Sequence, residues 1–403
     1  MLKHWKRTLA PLGVVAATGL VCAAVALGGK KPAPPPPPPP QPTISYSITF
    51  LGTAGQAMDL NNLGEVVGCA NADPLVPQAF VVVPEDTDGD GLPDLWYRDA
   101  DGDEINVLMV LLNDLIDPNS GRDLWIAYGI NDAGQIVGQG HLNGQHRAYR
   151  FTPGVDGAWA VVDNLGTLGG DSSASAINHQ GEVAGSSTDA NGAERGFVWT
   201  EQDGMRDIGS LVQGGRTEAR GINNSGQVTG FSYIFTYTPH AFLYTADGGM
   251  EDLGYFAPTR KNQTWRSLGL DINDNGHVAG WAGVHAFLYT DHMIDLGTLG
   301  GDPADRSEAY GLNGWDEVVG LSGPSSTVPG TTDLHGFLYT NKTNTGGFVM
   351  FKLQERIFDL PGDFQAAIIP RRINHDGVIC GTAGTASWVS RDGVAIVLTP
   401  VSP

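Results

Sequence analysis

The sequence predicts an all-β fold, a seven-bladed β-propeller of four-stranded antiparallel blades, with an open β-repeat solenoid as the alternative. Three observations predict it. The phrase I/L-N-x-x-G-x-V-x-G occurs seven times: LNNLGEVVG from Leu60, INDAGQIVG from Ile130, INHQGEVAG from Ile177, INNSGQVTG from Ile222, INDNGHVAG from Ile272, LNGWDEVVG from Leu312 and INHDGVICG from Ile373. Its Asn residues stand 70, 47, 45, 50, 40 and 61 positions apart, a spacing that belongs to propeller blades or helical arrays. Glycine reaches 56 of 403 residues while charged residues make up only 17%, the composition of short strands joined by tight turns. No segment sustains a 3.6-residue apolar period, which removes the helical array.

Taken from the N-terminus, Lys3, Lys6 and Arg7 precede an apolar run from Leu9 to Leu27, with Ala24-Val25-Ala26 as an A-x-A cleavage site. Residues 1–26 therefore read as a signal peptide or, since about 20 apolar residues span a bilayer, as an uncleaved membrane anchor. Residues 27–43 form a Pro-rich linker in which seven consecutive prolines, Pro34 to Pro40, predict a stiff polyproline II spacer. The repeat domain covers residues 44–403. Within one repeat, an apolar residue and Asn end a first strand, and a polar turn with Gly in the left-handed region follows. An alternating second strand comes next, such as Gln135-Ile136-Val137-Gly138. Third strands read His240 to Thr245, His285 to Thr290 and His335 to Thr340, and fourth strands Met205 to Gly209, Met250 to Gly254 and Met293 to Gly297. Ser45 to Gly52 resembles a fourth strand ahead of the first Asn. The C-terminus offers Ala386 to Val389 and Val394 to Leu398 as third and fourth strands, so the two ends of the chain are expected to share a blade and close the ring.

The phrases A-x-x-I-N-x-x-G-x-V-x-G, H-A-F-L-Y-T and M-x-D-L-G-T-L-G-G resemble the HAF-repeat family of extracellular bacterial proteins over residues 46 to 400. That resemblance implies export and a β-repeat architecture and supplies no catalytic residues. Copy 1 departs from it with Gln78-Ala79-Phe80, and copy 7 with Ala386-Ser387-Trp388.

The clearest candidate site is an acidic insertion at residues 86–104. Asp86, Asp88, Asp90 and Asp94 stand at positions 1, 3, 5 and 9 of an EF-hand-like calcium loop, with Gly91 at the turn and Tyr97 where a bidentate Glu is usual. Asp99, Asp101 and Asp103 begin a second such run, and calcium is the expected ion for both. Tyr255, Arg260, Trp265 and Arg266 give one lengthened loop an aromatic and basic character suited to a carbohydrate or acidic ligand. Cys69 and Cys380 read as buried, inert thiols, because strand parity turns them to equivalent faces of neighbouring blades. The histidines at 240, 285 and 335, and the repeated Asn, read as structural.

The chain carries no G-x-S-x-G, H-E-x-x-H or phosphate loop. A net charge of −21 argues against a nucleic-acid partner. The expectation is a non-catalytic, calcium-stabilised binding or structural module, secreted or at the periplasm or cell surface, with a carbohydrate or protein ligand. Contact with a membrane is expected only through an uncleaved N-terminal anchor. A polysaccharide-active hydrolase or lyase is the alternative.

Overall fold

The computed structural model describes residues 44–401 except 74–75, 104, 155–159, 236, 258–264, 303, 325–333, 344–346, 361–366 and 385–392. The leader, the Pro-rich linker, Arg260 and the segment Ala386 to Val389 lie outside the described residues. The described chain is built from antiparallel strands and two short 3-10 turns, at Leu112–Leu115 and Leu353–Arg356.

Blade 1 consists of the second half of β1 (Ser45–Leu60), β2 (Val66–Asp73), β3 (Val76–Val82) and β4 (Met109–Leu111). Blade 2 holds β5 (Arg122–Ile130), β6 (Ile136–Leu142), β7 (Gln145–Thr152) and β8 (Val161–Asn164), and blade 3 holds β9 (Gly169–Ile177), β10 (Val183–Asp189), β11 (Glu194–Thr200) and β12 (Gly204–Asp207). Blade 4 comprises β13 (Thr217–Ile222), β14 (Val228–Phe235), β15 (Thr238–Thr245) and β16 (Gly249–Asp252), and blade 5 β17 (Ser267–Ile272), β18 (Val278–Ala282), β19 (His285–Tyr289) and β20 (Met293–Asp295). Blade 6 is β21 (Arg306–Leu312), β22 (Val318–Gly323), β23 (His335–Thr340) and β24 (Val349–Lys352). Blade 7 pairs β25 (Ala367–Ile373), β26 (Ile379–Gly384) and β27 (Val394–Val401) with the first half of β1.

Strand β1 therefore serves two blades. Residues 45–54 pair with β27, and residues 55–60 pair with β2. The shared blade expected from the sequence is present, with one correction. Val394 to Leu398 forms the third strand of blade 7, and Ser45 to Phe50 supplies the fourth, because β27 pairs directly with β26 on its other side.

The repeated phrase has a specific task at each position. Each Asn is buried and ends the innermost strand of its blade. Its Oδ1 accepts the backbone N–H groups two and four residues on, as Asn223 does from Ser225 and Gln227. Its Nδ2 donates to the backbone oxygen of the Asn in the next blade. These bonds run Asn61 to Asn131, Asn178, Asn223, Asn273, Asn313, Asn374 and back to Asn61, at 2.9–3.2 Å. The seven repeats thus close on themselves through one uninterrupted side-chain ring. Where the turn glycine is replaced by Asp316, that residue adopts φ 62°. Its carboxylate accepts Asn273 Nδ2 at 2.9 Å and faces His277 Nδ1 at 2.8 Å, contacts a glycine lacks.

The last glycine of the phrase is fixed by a bulge. In all seven blades the innermost strand shifts register just before its Asn, as between Gly269 and Asp271. A Cβ on Gly280 would stand 1.9 Å from the Leu268 carbonyl oxygen. The third-strand Phe residues, such as Phe242, Phe287 and Phe337, are fully buried. They belong to seven apolar clusters, each made by two consecutive blades, so the core is distributed as seven wedges around the axis.

Candidate functional site: the axial cavity and the acidic insertion

The position two residues before each ring Asn is where the repeat breaks its own pattern. Around the axis it holds Asp59, Gly129, Ala176, Gly221, Asp271, Gly311 and Arg372. Four blades place glycine or alanine there, and three place a charge. The small residues leave room for the charged ones, and Asp59, Ala176, Asp271 and Arg372 together with the ring line a cavity of about 260 Å³ on the axis. Arg372 Nε lies 3.6 Å from Asp59 Oδ1 and 3.8 Å from Asp271 Oδ2, too far for direct hydrogen bonds. Its Nη1 donates to the backbone oxygens of Tyr310 and Arg371. Asp59 Oδ2 accepts Ile130 N–H at 3.0 Å, while Asp271 accepts Ile272 and Leu312 N–H groups at 3.0 and 2.9 Å.

Burial dominates the electrostatics. It pushes the Asp59 carboxyl up to about 7, against the lowering effect of Arg372 and the Ile130 N–H, and Asp271 moves in the same direction for the same leading cause. One guanidinium does not compensate two desolvated carboxylates.

Above the ring Asn residues, the following position forms the mouth: Asn62, Asp132, His179, Asn224, Asp274, Gly314 and His375. Asn62 donates to both oxygens of Asp132, and Asn224 does the same to Asp274. His179 Nε2 lies 3.2 Å from Asp132. Trp315 is 56% exposed and its ring packs against His375 at 4.8 Å, on the rim beside the gap left by Gly314. Sequence reasoning missed this site, although the charged outliers are visible once the seven copies are aligned on Asn.

The acidic insertion leaves β3 on the same face. Trp96 is buried and its Nε1 donates to Gly64 O at 2.8 Å, pinning the insertion to the first Asn turn. Buried Asn106 ties the other end to Leu51 O and Trp96 O. Tyr97, standing where a twelfth-position ligand is usual, packs on Gly52 instead. Two groups of carboxylates converge, Asp86, Asp88 and Asp94 in one and Asp99, Asp101 and Asp103 in the other, with ligand atoms within 4.8 Å in each. Asp90 stands outside the first group and accepts Leu92 N–H. The N–H groups of Gly89 and Gly91 hold the Asp86 carboxyl below its ordinary range.

The other expected ligand loop lies on the opposite face, after β16. Tyr255 packs between His240 and Trp265 at 5.0 and 5.1 Å, and Trp265 is 55% exposed. Arg266 contributes its backbone oxygen to Gly283 N–H. Two of the third-strand histidines pair with carboxylates of the fourth strand, His240 with Asp252 and His285 with Asp295 at 2.8 and 2.9 Å, which agrees with a structural role. His335 instead faces Lys352 at 3.3 Å. Cys69 and Cys380 are free and buried.

No family model matches the chain, and no curated protein matches it. Among solved structures it is similar to a puromycin hydrolase, with 12% identity and a TM-score of 0.45, over 89% of this chain and 56% of that one. It is also similar to the PQQ-bound aldose sugar dehydrogenase of Streptomyces coelicolor, with 11% identity and a TM-score of 0.32, over 90% of this chain and all of that one.

Proposed function

We propose that the protein is a non-catalytic binding module that works outside the cytoplasm, secreted or held at the periplasm or cell surface, with calcium ordering its blade 1 insertion. The observation that carries the reading is the axial cavity. A rigid ring of seven Asn residues encloses it, and three charged side chains break the repeat only where they line it. The basic and apolar start of the chain and the resemblance to the HAF repeats support export. The convergence of Asp86, Asp88 and Asp94, and of Asp99, Asp101 and Asp103, supports a hard cation with oxygen ligands.

Thermal unfolding of the full chain against neutral, cationic and anionic small polar molecules tests the binding role. At least one should raise the melting temperature of the wild type and fail to do so in Ala176→Leu, where the cavity is filled. If none does, the binding role falls and a structural role is left. Calcium should raise the melting temperature relative to chelator, and Asp88→Ala with Asp94→Ala should reduce the rise. Equal melting temperatures with and without the ion would remove calcium from the account.

One observation favours the second reading, a polysaccharide-active hydrolase. Two carboxylates share the cavity floor, and Asp59, pushed up to about 7, has the protonation expected of a general acid. Release of reducing ends from a polysaccharide, lost in Asp59→Asn, would establish it.

A further inference from the structure

We infer that the axial cavity takes a neutral polyhydroxylated ligand, a monosaccharide unit, whose hydroxyls bridge Asp59, Asp271 and Arg372 while its apolar face rests on Trp315. The inference rests on the binding reading and narrows it to one ligand class.

The floor decides the charge of the ligand. The guanidinium of Arg372 faces a carboxylate on either side across gaps of 3.6 and 3.8 Å. A group seated among them meets a donor and two acceptors at once. A hydroxyl both donates and accepts, so it satisfies the carboxylates and the guanidinium together. A ligand ammonium would meet the fixed positive charge of Arg372, and a ligand carboxylate would meet Asp59 and Asp271. A ligand carboxylate therefore meets two like charges and a ligand ammonium one, whereas a hydroxyl meets none.

Size and rim agree with that choice. A cavity of about 260 Å³ holds a single sugar ring rather than a larger organic molecule. Its lining is polar, with ring Asn residues and Asp132, Asp274 and His375 above the floor. The carboxylates of Asp132 and Asp274 are already held by Asn62 and Asn224, so the mouth presents acceptors fixed in place. Trp315, 56% exposed, packs on His375 of the cavity lining, next to the position where Gly314 interrupts the circle of side chains. A sugar carries C–H groups on one face and hydroxyls at its edges, and an indole beside a polar pocket matches both.

The test is calorimetric titration of the full chain with a panel of neutral hexoses and pentoses, alongside ethylammonium and acetate as charged probes. At least one neutral sugar should bind saturably with a dissociation constant in the range of about 0.1–10 mM. Asp271→Asn should weaken it about tenfold, and Trp315→Ala should weaken it severalfold. Ala176→Leu, which changes no charge, should abolish it while leaving the melting temperature of the free protein within a few degrees of wild type. Binding of ethylammonium or acetate but no sugar, lost in Ala176→Leu, would overturn the ligand class and leave the binding module standing. A sugar that binds equally well to Ala176→Leu sits elsewhere and overturns the assignment to the cavity. If no probe binds, both readings fall.

Discussion

Asp59 is a carboxylate that the fold holds at a disadvantage. Its ordinary value is 3.8, and burial beside a guanidinium it shares with Asp271 raises it to about 7. The folded protein therefore binds more protons than the unfolded chain between those limits. Its contribution to stability is complete below the lower limit, declines as pH rises through the window, and is lost above about 7. About three units correspond to an upper bound of ~4 kcal/mol. Chemical denaturation across about pH 4 to 8 should show this decline, and Asp59→Asn should flatten it. The same slope in both proteins would mean that the Asp59 carboxyl is not displaced. In the sequence Asp59, Asp271 and Arg372 are three charges among sixty-seven. Their shared offset from Asn is legible, but nothing in a linear reading says that this offset faces the axis, because a bulge in the strand decides it.

At the level of the element, the second strand and the insertion show two kinds of constraint. The last glycine of the repeat is obligatory because the bulged inner strand leaves no room for a side chain over it. Gly280→Ala would drive a Cβ to 1.9 Å from a backbone oxygen, so a loss of roughly 3 kcal/mol or more is expected in equilibrium unfolding. Wild-type stability in that variant would show that the sheet relaxes freely there. The alternating acidic residues of the insertion are readable from its spacing alone. Its attachment is not, since Trp96 looks like any aromatic residue between two Asp runs. Trp96→Ala removes a fully buried indole and its bond to Gly64, and a cost of about 3–5 kcal/mol is expected. Limited proteolysis should then cut within residues 84–108 before any blade is cut. Cleavage elsewhere first would place the weak point outside the insertion.

For the whole molecule, stability depends on closure. The first half of β1 is the outer strand of the last blade, and the Asn ring carries a continuous path of hydrogen bonds around the axis. Deleting residues 45–53 would uncover the edge of β27 and separate the two ends of the chain. Unpaired edges recruit other chains, so the deletion should migrate as higher oligomers in size-exclusion chromatography. A monomer of unchanged melting temperature would show that the ring holds without its clasp.

The sequence by itself determined the repeat count, the strand order within a blade and the sharing of the last blade. Each of these is written as a local pattern: an alternation, a turn glycine, a recurring Asn. It also singled out both acidic runs by their spacing, and each brings three carboxylates together. Only the tertiary structure decided that the Asn side chains join into one ring, that Asp90 leaves the first acidic group, and that the axis carries a charged cavity. The ring and the cavity depend on side chains from blades 40 or more residues apart being brought within bonding distance, whereas Asp90 is turned aside by the local backbone, where it accepts Leu92 N–H. A pattern that repeats along the chain encodes the blade, whereas a site made of exceptions to that pattern exists only once the blades are arranged in a circle.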